Sequence, residues 1–233
     1  MKIVIFTSNQ KRHIYFINKL SRITNNLHCF IDPKKKNKIK NKVTKNYFSK
    51  VYISEKKFFK DKSINKNVSI KNFDSLKTNI NILPKNKKII FIVFGCGLIK
   101  GKLFNYLKKK KCLNLHAGIS PFYRGVACNP WAILDHNLDK VGCSILYLDR
   151  KIDGGKIIFY SKPRINKKNI FDLSMYALKC GIDDLVLMIK KKKILNIKPI
   201  RQDYKKLIRF TKSKDFNLIQ QKKFIEMAKL KLS

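Results

Sequence analysis

The sequence predicts an α/β protein with a Rossmann-like open, mostly parallel sheet carrying helices on both faces. Three observations lead there. The chain opens on a β-branched apolar run, "KIVIFT" at 2–7, followed by a polar turn and a segment with helical spacing. A second run, "KKIIFIVFG" at 87–95, is continuously apolar and ends in glycine, the pattern of a central parallel strand covered on both faces. Strand-like and helix-like segments alternate around it, as βαβ units require.

Taken in order, "KRHIYFINKLSRI" keeps Phe16, Leu20 and Ile23 at i, i+4, i+7 on one helical face. "LHCFI" (27–31) reads as a second strand, and the Lys/Asn-rich stretch to about 46 as a loop or a solvated helix end. Periodicity is weaker over 47–83, with one or two helices around "EKKFFKDK" and "FDSLKTNINIL". After the central strand, "CGLIKGKLFNYLKKKK" gives a turn and a short helix with Leu103, Tyr106 and Leu107 inward, and "CLNLHAG" (112–118) a strand ending in a loop. "GCSILYLDRKIDGGKIIFYSKPRI" reads as two extended segments around a Gly-Gly turn. From there Asn169 caps a helix with Ile170, Leu173, Ala177, Cys180 and Met188 on its apolar stripe, and a lysine run suits its C-terminal dipole. Residues 1–200 read as one domain and 201–233 as a basic C-terminal extension.

Composition narrows the function classes. Hydrophobic residues at 44% and aromatics at 11% exclude wholesale disorder, although 54 basic against 14 acidic residues give +40. Only seven of the basic residues are Arg, and the lysine runs at 34–36, 108–111 and 190–193 lack interleaved aromatics. Bidentate recognition of phosphates and bases favours Arg, so the charge reads as solvated surface that attracts anions rather than as a specific nucleic-acid site. The six cysteines form no C-x-x-C and have no His at zinc-ligand spacing, which argues against a metal and for reduced, buried thiols. No apolar stretch has spanning length, and "MKIVIFTSNQ" is too short for a signal core, so the expected setting is cytoplasmic, away from membranes.

The chemistry concentrates at 112–137, "CLNLHAGISPFYRGVACNPWAILDHN", where the lysine monotony stops. Asn114 and His116 stand two apart at a strand end and share a face by period-2 geometry. Asp153 stands in a loop just before Gly-Gly. In open α/β sheets the ligand site lies beyond the carboxyl ends of the strands. An amide donor, an imidazole and a carboxylate are the groups needed when an acyl carbon is attacked and an oxyanion must be stabilised. No G-x-S-x-G elbow is present, which favours direct transfer over an acyl-enzyme. Taken alone, a strand-end His is more often a structural hydrogen-bonder, and an Asp before Gly-Gly is often a turn cap.

"LNLHAGISPFYRG" followed by "VGCSILYLDRKIDGG" resembles the folate-dependent formyltransferases, the group of glycinamide ribonucleotide, methionyl-tRNA and sugar-nucleotide N-formyltransferases. The matching positions are Asn114, His116, Pro121, Gly125, Gly142, Ser144, Asp149, Asp153 and Gly155. The resemblance is strong over about 90–160. It implies 10-formyltetrahydrofolate as donor, with no metal, and a primary amine as acceptor. It also implies that Asn114 and His116 donate to the formyl oxygen while Asp153 orients or charges His116 and helps deprotonate the amine. "FGCGLI" corresponds to a loop that meets the pterin. That implies Gly97, Leu98 and Ile99 as folate contacts, with Leu148, Asp149 and Ile152 across the cleft.

Departures from the family pattern guide the choice of acceptor. Methionyl-tRNA enzymes read H-A-S-L-L-P, where this chain has Gly118 and Ser120, and its length leaves no room for their additional tRNA-binding domain. "TSNQKRH" lacks the glycine-rich phosphate turn of the glycinamide ribonucleotide enzymes. The remaining pattern is closest to the sugar N-formyltransferases, which implies a small, anionic, nucleotide-linked amino sugar as substrate and admits a homodimer. Ser8, Asn9, Arg124 and Asn129 are then substrate-side candidates. Arg124 suits either a diphosphate or a turn-stabilising bond to carbonyls, while Tyr123 and Trp131 read as core.

Overall fold

The computed structural model describes residues 1–33, 39–84, 88–164 and 169–229; the lysine run at 34–36 lies outside them. The chain begins with β1 (Lys2–Thr7), α1 (Lys11–Ser21) and β2 (Leu27–Ile31). Then come α2 (Lys42–Phe58), β3 (Ser69–Asn72), α3 (Ser75–Thr78) and β4 (Ile89–Val93). The middle of the chain forms α4 (Gly101–Lys109), β5 (Leu113–His116), β6 (Tyr123–Gly125) and α5 (Cys128–Leu134). It closes with β7 (Cys143–Tyr147), β8 (Ile157–Ser161), α6 (Ile170–Lys190), β9 (Arg209–Thr211) and α7 (Leu218–Met227).

Seven strands form one sheet in the order β3-β2-β1-β4-β5-β7-β8. From β3 to β5 it is parallel, and β7 and β8 add an antiparallel edge. Strand order reverses between β1 and β4, the switch point at which such sheets open a crevice.

The continuous apolar runs follow from covering on both sides. Ile3, Ile5, Cys29 and Ile92 face a cluster with Phe16, Leu20, Leu178 and Ile182, the apolar stripes of α1 and α6. The alternate residues, Val4, Phe6, Phe30, Phe91 and Val93, face Leu76 and Leu107 from α3 and α4. Phe6, Phe30 and Phe91 stack across three strands at 5.6 and 6.4 Å. At α6, Asn169 caps the helix by accepting from the Phe171 and Asp172 amides. Cys180 and Met188 are only half-buried, and the stripe runs on through Ile182, Leu185 and Ile189. Cys29, Cys112, Cys128 and Cys143 are buried free thiols, and burial pushes the Cys29 thiol up to about 12.

Two regions differ from the sequence expectation. Over 42–58, read as loop up to about 46 and as a weak helix only around "EKKFFKDK", the chain forms one 17-residue helix, α2, capped by Asn41, while α3 falls within "FDSLKTNINIL" as expected. The stripe of α2 is thin, and Tyr47 anchors it to Phe171, Phe216 and Phe224. An edge strand, β3, follows with all four residues exposed, so no alternation announced it. Residues 201–229 are built into the body of the molecule. There β9 pairs in parallel with β6, Tyr123 opposite Arg209, and α7 packs Phe224 and Ile225 into the cluster shared by α2, α5 and the start of α6. Arg209 clasps Asp135 through two bonds of 2.6 Å and lies 4.3 Å over the Trp131 ring. Burial pushes the Asp135 carboxyl up, but Arg209 and Tyr123 outweigh it and hold it below the usual carboxylate range. At Gly125, φ is +95° and a Cβ would stand 2.0 Å from the Thr211 carbonyl oxygen, so the close approach of β6 to β9 requires glycine.

Candidate active site

A cleft of about 1100 Å³ opens at the carboxyl ends of β1, β4 and β5. Asn114 and His116, on β5, reach it from one side, and the turn after β7 brings Asp153 from the other. Asn114 Nδ2 donates to Asp153 Oδ1 at 2.9 Å, and His116 Nδ1 lies 3.2 Å from Asp153 Oδ2. The Gly125 amide donates to the same Oδ2 at 3.1 Å. The carboxylate thus bonds to residues 28, 37 and 39 positions away and not to its own turn. His116 is 6% exposed, and its Nε2 lies 3.1 Å from the Tyr123 carbonyl oxygen, so both ring nitrogens face acceptors. Asn114 keeps a second amide N–H beyond the one given to Asp153.

Behind this trio the 117–125 segment is fixed from below. Ser144 Oγ donates to the Gly118 carbonyl at 2.8 Å and accepts from the Ser120 amide at 2.9 Å. The Ser120–Pro121 peptide is cis. A Cβ at Gly118 would stand 2.5 Å from Cys128 Cβ and 2.7 Å from His116 Nε2, which accounts physically for glycine where the resembling methionyl-tRNA enzymes have serine. Gly118→Ala is therefore expected to destabilise the fold by about 1–3 kcal/mol, the usual cost of overpacking, and to displace the imidazole. A thermal melt run beside a turnover assay checks both; an unshifted melting temperature would contradict the close fit. Cys128, on the cleft wall, is no nucleophile: burial and then the Asp153 charge push its thiol well up.

The six positions expected to contact folate all line the cleft: Gly97, Leu98 and Ile99 on one lip, Leu148, Asp149 and Ile152 on the other. Leu98 is 64% exposed and Ile152 44%, so the two lips present apolar side chains to whatever enters. Asp32 Oδ2 accepts from the Gly97 amide at 2.7 Å and pins the first lip. Lys108 pairs with Asp149 at 2.7 Å. Burial pushes that carboxyl up, and Lys108 with the Arg150 amide brings it below its ordinary value.

The substrate-side candidates fare differently. Asn129 lines the cleft, but its side chain is buried, with Oδ1 accepting from the Gly142 amide. Arg124, Ser8 and Asn9 are not among the lining residues. Arg124 donates to the Ile152 carbonyl through Nε at 2.9 Å and Nη2 at 2.5 Å, and Ser8 is fully buried at the end of β1. Instead, that side of the cleft is lined by Gln10, Arg12, Tyr47, Phe48, Phe210 and Lys212. Of these only Arg12 carried a signal, as one of seven arginines and the one placed just beyond the first strand. Its guanidinium bonds to Glu55 at 2.8 Å and to Gln10.

Among the described residues no group of three His, Cys, Asp or Glu could hold a metal ion, and no helix is long and apolar enough to cross a membrane.

The amide, imidazole and carboxylate thus meet at the carboxyl end of β5, one strand from the switch point of the sheet. A model of the formyl transferase family matches residues 1–173, and the chain belongs to that family. It is 29% identical over 147 residues, 61% of this chain and 47% of the relative, to the methionyl-tRNA formyltransferase of Clostridium acetobutylicum. The alignment thus spans about half the length of that relative. Two solved structures share the fold. The N-formyltransferase of Helicobacter canadensis, in complex with folinic acid and dTDP-3-aminofucose, superimposes with a TM-score of 0.60 at 16% identity, over 97% of this chain and 81% of that one. A 4-N formyltransferase from Francisella tularensis gives 0.59 at 18% identity, over 92% and 77%.

Proposed function

We propose that this protein, working in the cytoplasm, transfers the formyl group of 10-formyltetrahydrofolate to the primary amine of a nucleotide-linked amino sugar or a similar small anionic metabolite. The observation that carries the reading is the hydrogen-bonded trio of Asn114, Asp153 and His116 between two apolar-edged lips. Ligand pockets commonly run to about 300–1,000 Å³, so the space suits two ligands meeting over the trio. The lips at 97–99 and 148–152 would hold the flat ring of the folate, which brings the activated formyl group.

In this reading the free Asn114 N–H donates to the formyl oxygen as negative charge grows there during attack by the amine. His116 joins it when Nε2–H exchanges the Tyr123 carbonyl for that oxygen. Asp153 takes the proton that the amine sheds as the new C–N bond forms, and His116, 3.2 Å from its Oδ2, holds the carboxylate in place for it. When the C–N bond to the folate breaks, the proton held by the pair serves the departing nitrogen. Arg124 lies outside the lining, committed to a carbonyl, and the cationic side chains that line this side of the cleft for an anionic acceptor are Lys212 and Arg12, the latter already paired with Glu55.

A second reading, formylation of a tRNA-borne methionine, draws on the methionyl-tRNA formyltransferase relative and on the +40 charge. A screen of amines with 10-formyltetrahydrofolate, following tetrahydrofolate release, separates the two. Nucleotide-linked amino sugars should be turned over. Methionyl-tRNA should bind weakly, with steep salt dependence and no preference for initiator over elongator species. An initiator preference of about tenfold or more at physiological salt would overturn the amino-sugar reading.

A further inference from the structure

The turn that carries Asp153 is held by side chains from elsewhere at each of its four carbonyls. Ile152 O accepts from Arg124, and Asp153 O accepts from Ser120 Oγ at 3.2 Å and from Gln202 Nε2 at 2.8 Å. Gly154 O accepts from the Tyr204 hydroxyl at 2.7 Å, and Gly155 O from the same Gln202 Nε2 at 2.7 Å. Asp153 itself sits at φ +49°, a left-handed conformation that a residue with a Cβ adopts at some cost and keeps only when its surroundings hold it. The Tyr204 and Phe210 rings lie 5.1 and 5.4 Å from the Arg124 guanidinium, so the same stretch of chain also backs the fourth hold.

Gln202 and Tyr204 lie beyond the residues matched by the family model, which end at 173. Gln202 bridges two carbonyls with one amide group, while its own buried Oε1 has no partner among the described residues. What it donates therefore keeps it in place.

We propose that residues 200–211 form a strap that sets the position of the Asp153 carboxylate, with Gln202 and Tyr204 as positioning residues that act through Asp153 without touching substrate. The proposal rests on the formyl-transfer reading for its effect on turnover but not for its effect on the turn. Misplacing a reacting group by about 1 Å can cost about 10²-fold, and Gln202 fixes the 153–154 and 155–156 peptide units on either side of the one that Tyr204 holds.

The test uses the full chain with Gln202→Met, which keeps length and removes both donors, and Tyr204→Phe, which removes one hydroxyl and keeps the ring over Arg124. Gln202→Met should lower kcat by about 10- to 100-fold with little change in KM for 10-formyltetrahydrofolate. Added to Asp153→Asn it should cost nothing further, because residues acting as a unit are not additive. Hydrogen exchange at the Gly154 amide, which donates to the Lys151 carbonyl at 2.9 Å, should quicken in both variants, and Tyr204→Phe should show the smaller loss of kcat. Unchanged kcat in Gln202→Met, unchanged exchange in both variants, or a full further loss on the Asp153→Asn background would each overturn the strap. A wild-type protein that formylates no amine would overturn the formyl-transfer reading instead, and exchange at Gly154 would then decide the strap alone.

Discussion

Asp153→Asn yields a folded protein that has lost about 10²-fold or more of its turnover, since a positioned general acid or base is typically worth 10²–10⁴. Three donors converge on this carboxylate, from Asn114, His116 and Gly125. An asparagine amide can accept with one oxygen only and turns an NH₂ toward a donor already there, so it conserves size without conserving the network. The carboxylate oxygen that faces the imidazole is lost as well. Had Asp153 merely capped its own turn, asparagine would have served almost equally well. Steady-state turnover and a thermal melt on the same preparation decide the matter: near-normal kcat would reduce Asp153 to a structural part.

Asn114→Ala should lower turnover by about 10²–10³-fold, the cost of removing one oxyanion donor, with little change in folate affinity. The effect should fall on kcat, because an interaction that strengthens only in the transition state leaves ground-state binding largely intact. One Asn114 N–H is committed to Asp153 Oδ1, so the alanine variant also frees that oxygen. Combining it with Asp153→Asn separates the two contributions: a double variant no slower than the worse single one would mean that Asn114 works only by holding the carboxylate. His116→Ala should cost at least as much as Asn114→Ala. Unchanged turnover in either single variant removes the proposed mechanism.

Six of the seven strands in the main sheet were legible, the central ones because their runs face apolar neighbours on both sides. β1 and β4 bury both their odd and even positions, which leaves a signal that composition bias cannot blur. β3, "SIKN", is an exposed edge held by backbone pairing to β2, and side chains that pack against nothing carry no pattern. α2 was blurred for a related reason: its one buried aromatic, Tyr47, finds partners in α6 and near α7, more than a hundred residues along the chain. At the site, Asn114 and His116 could be read from strand periodicity and Asp153 from the resemblance around it. Arg124 could not be assigned, because whether an arginine meets a ligand or a carbonyl depends on where the 152 peptide lies. Gln202 and Tyr204 gave no signal at all, since only the path of the folded chain brings them to the Asp153 turn.

The pairing of β6 with β9 also has a consequence in time. Tyr123 and Arg209 are neighbours in space but 86 positions apart in the chain. With synthesis adding about 5–20 residues per second, the segment holding His116 and Gly125 is made about 4 to 17 s before the strand that completes it. Over that interval the nascent chain can pair β1 with β2, whose partners stand only 24 positions apart, while the β6 backbone and the apolar walls of the cleft stand uncovered. Closing so long a loop is slow relative to local pairing, so the apolar walls of the cleft stay open to wrong contacts until β9 has been made.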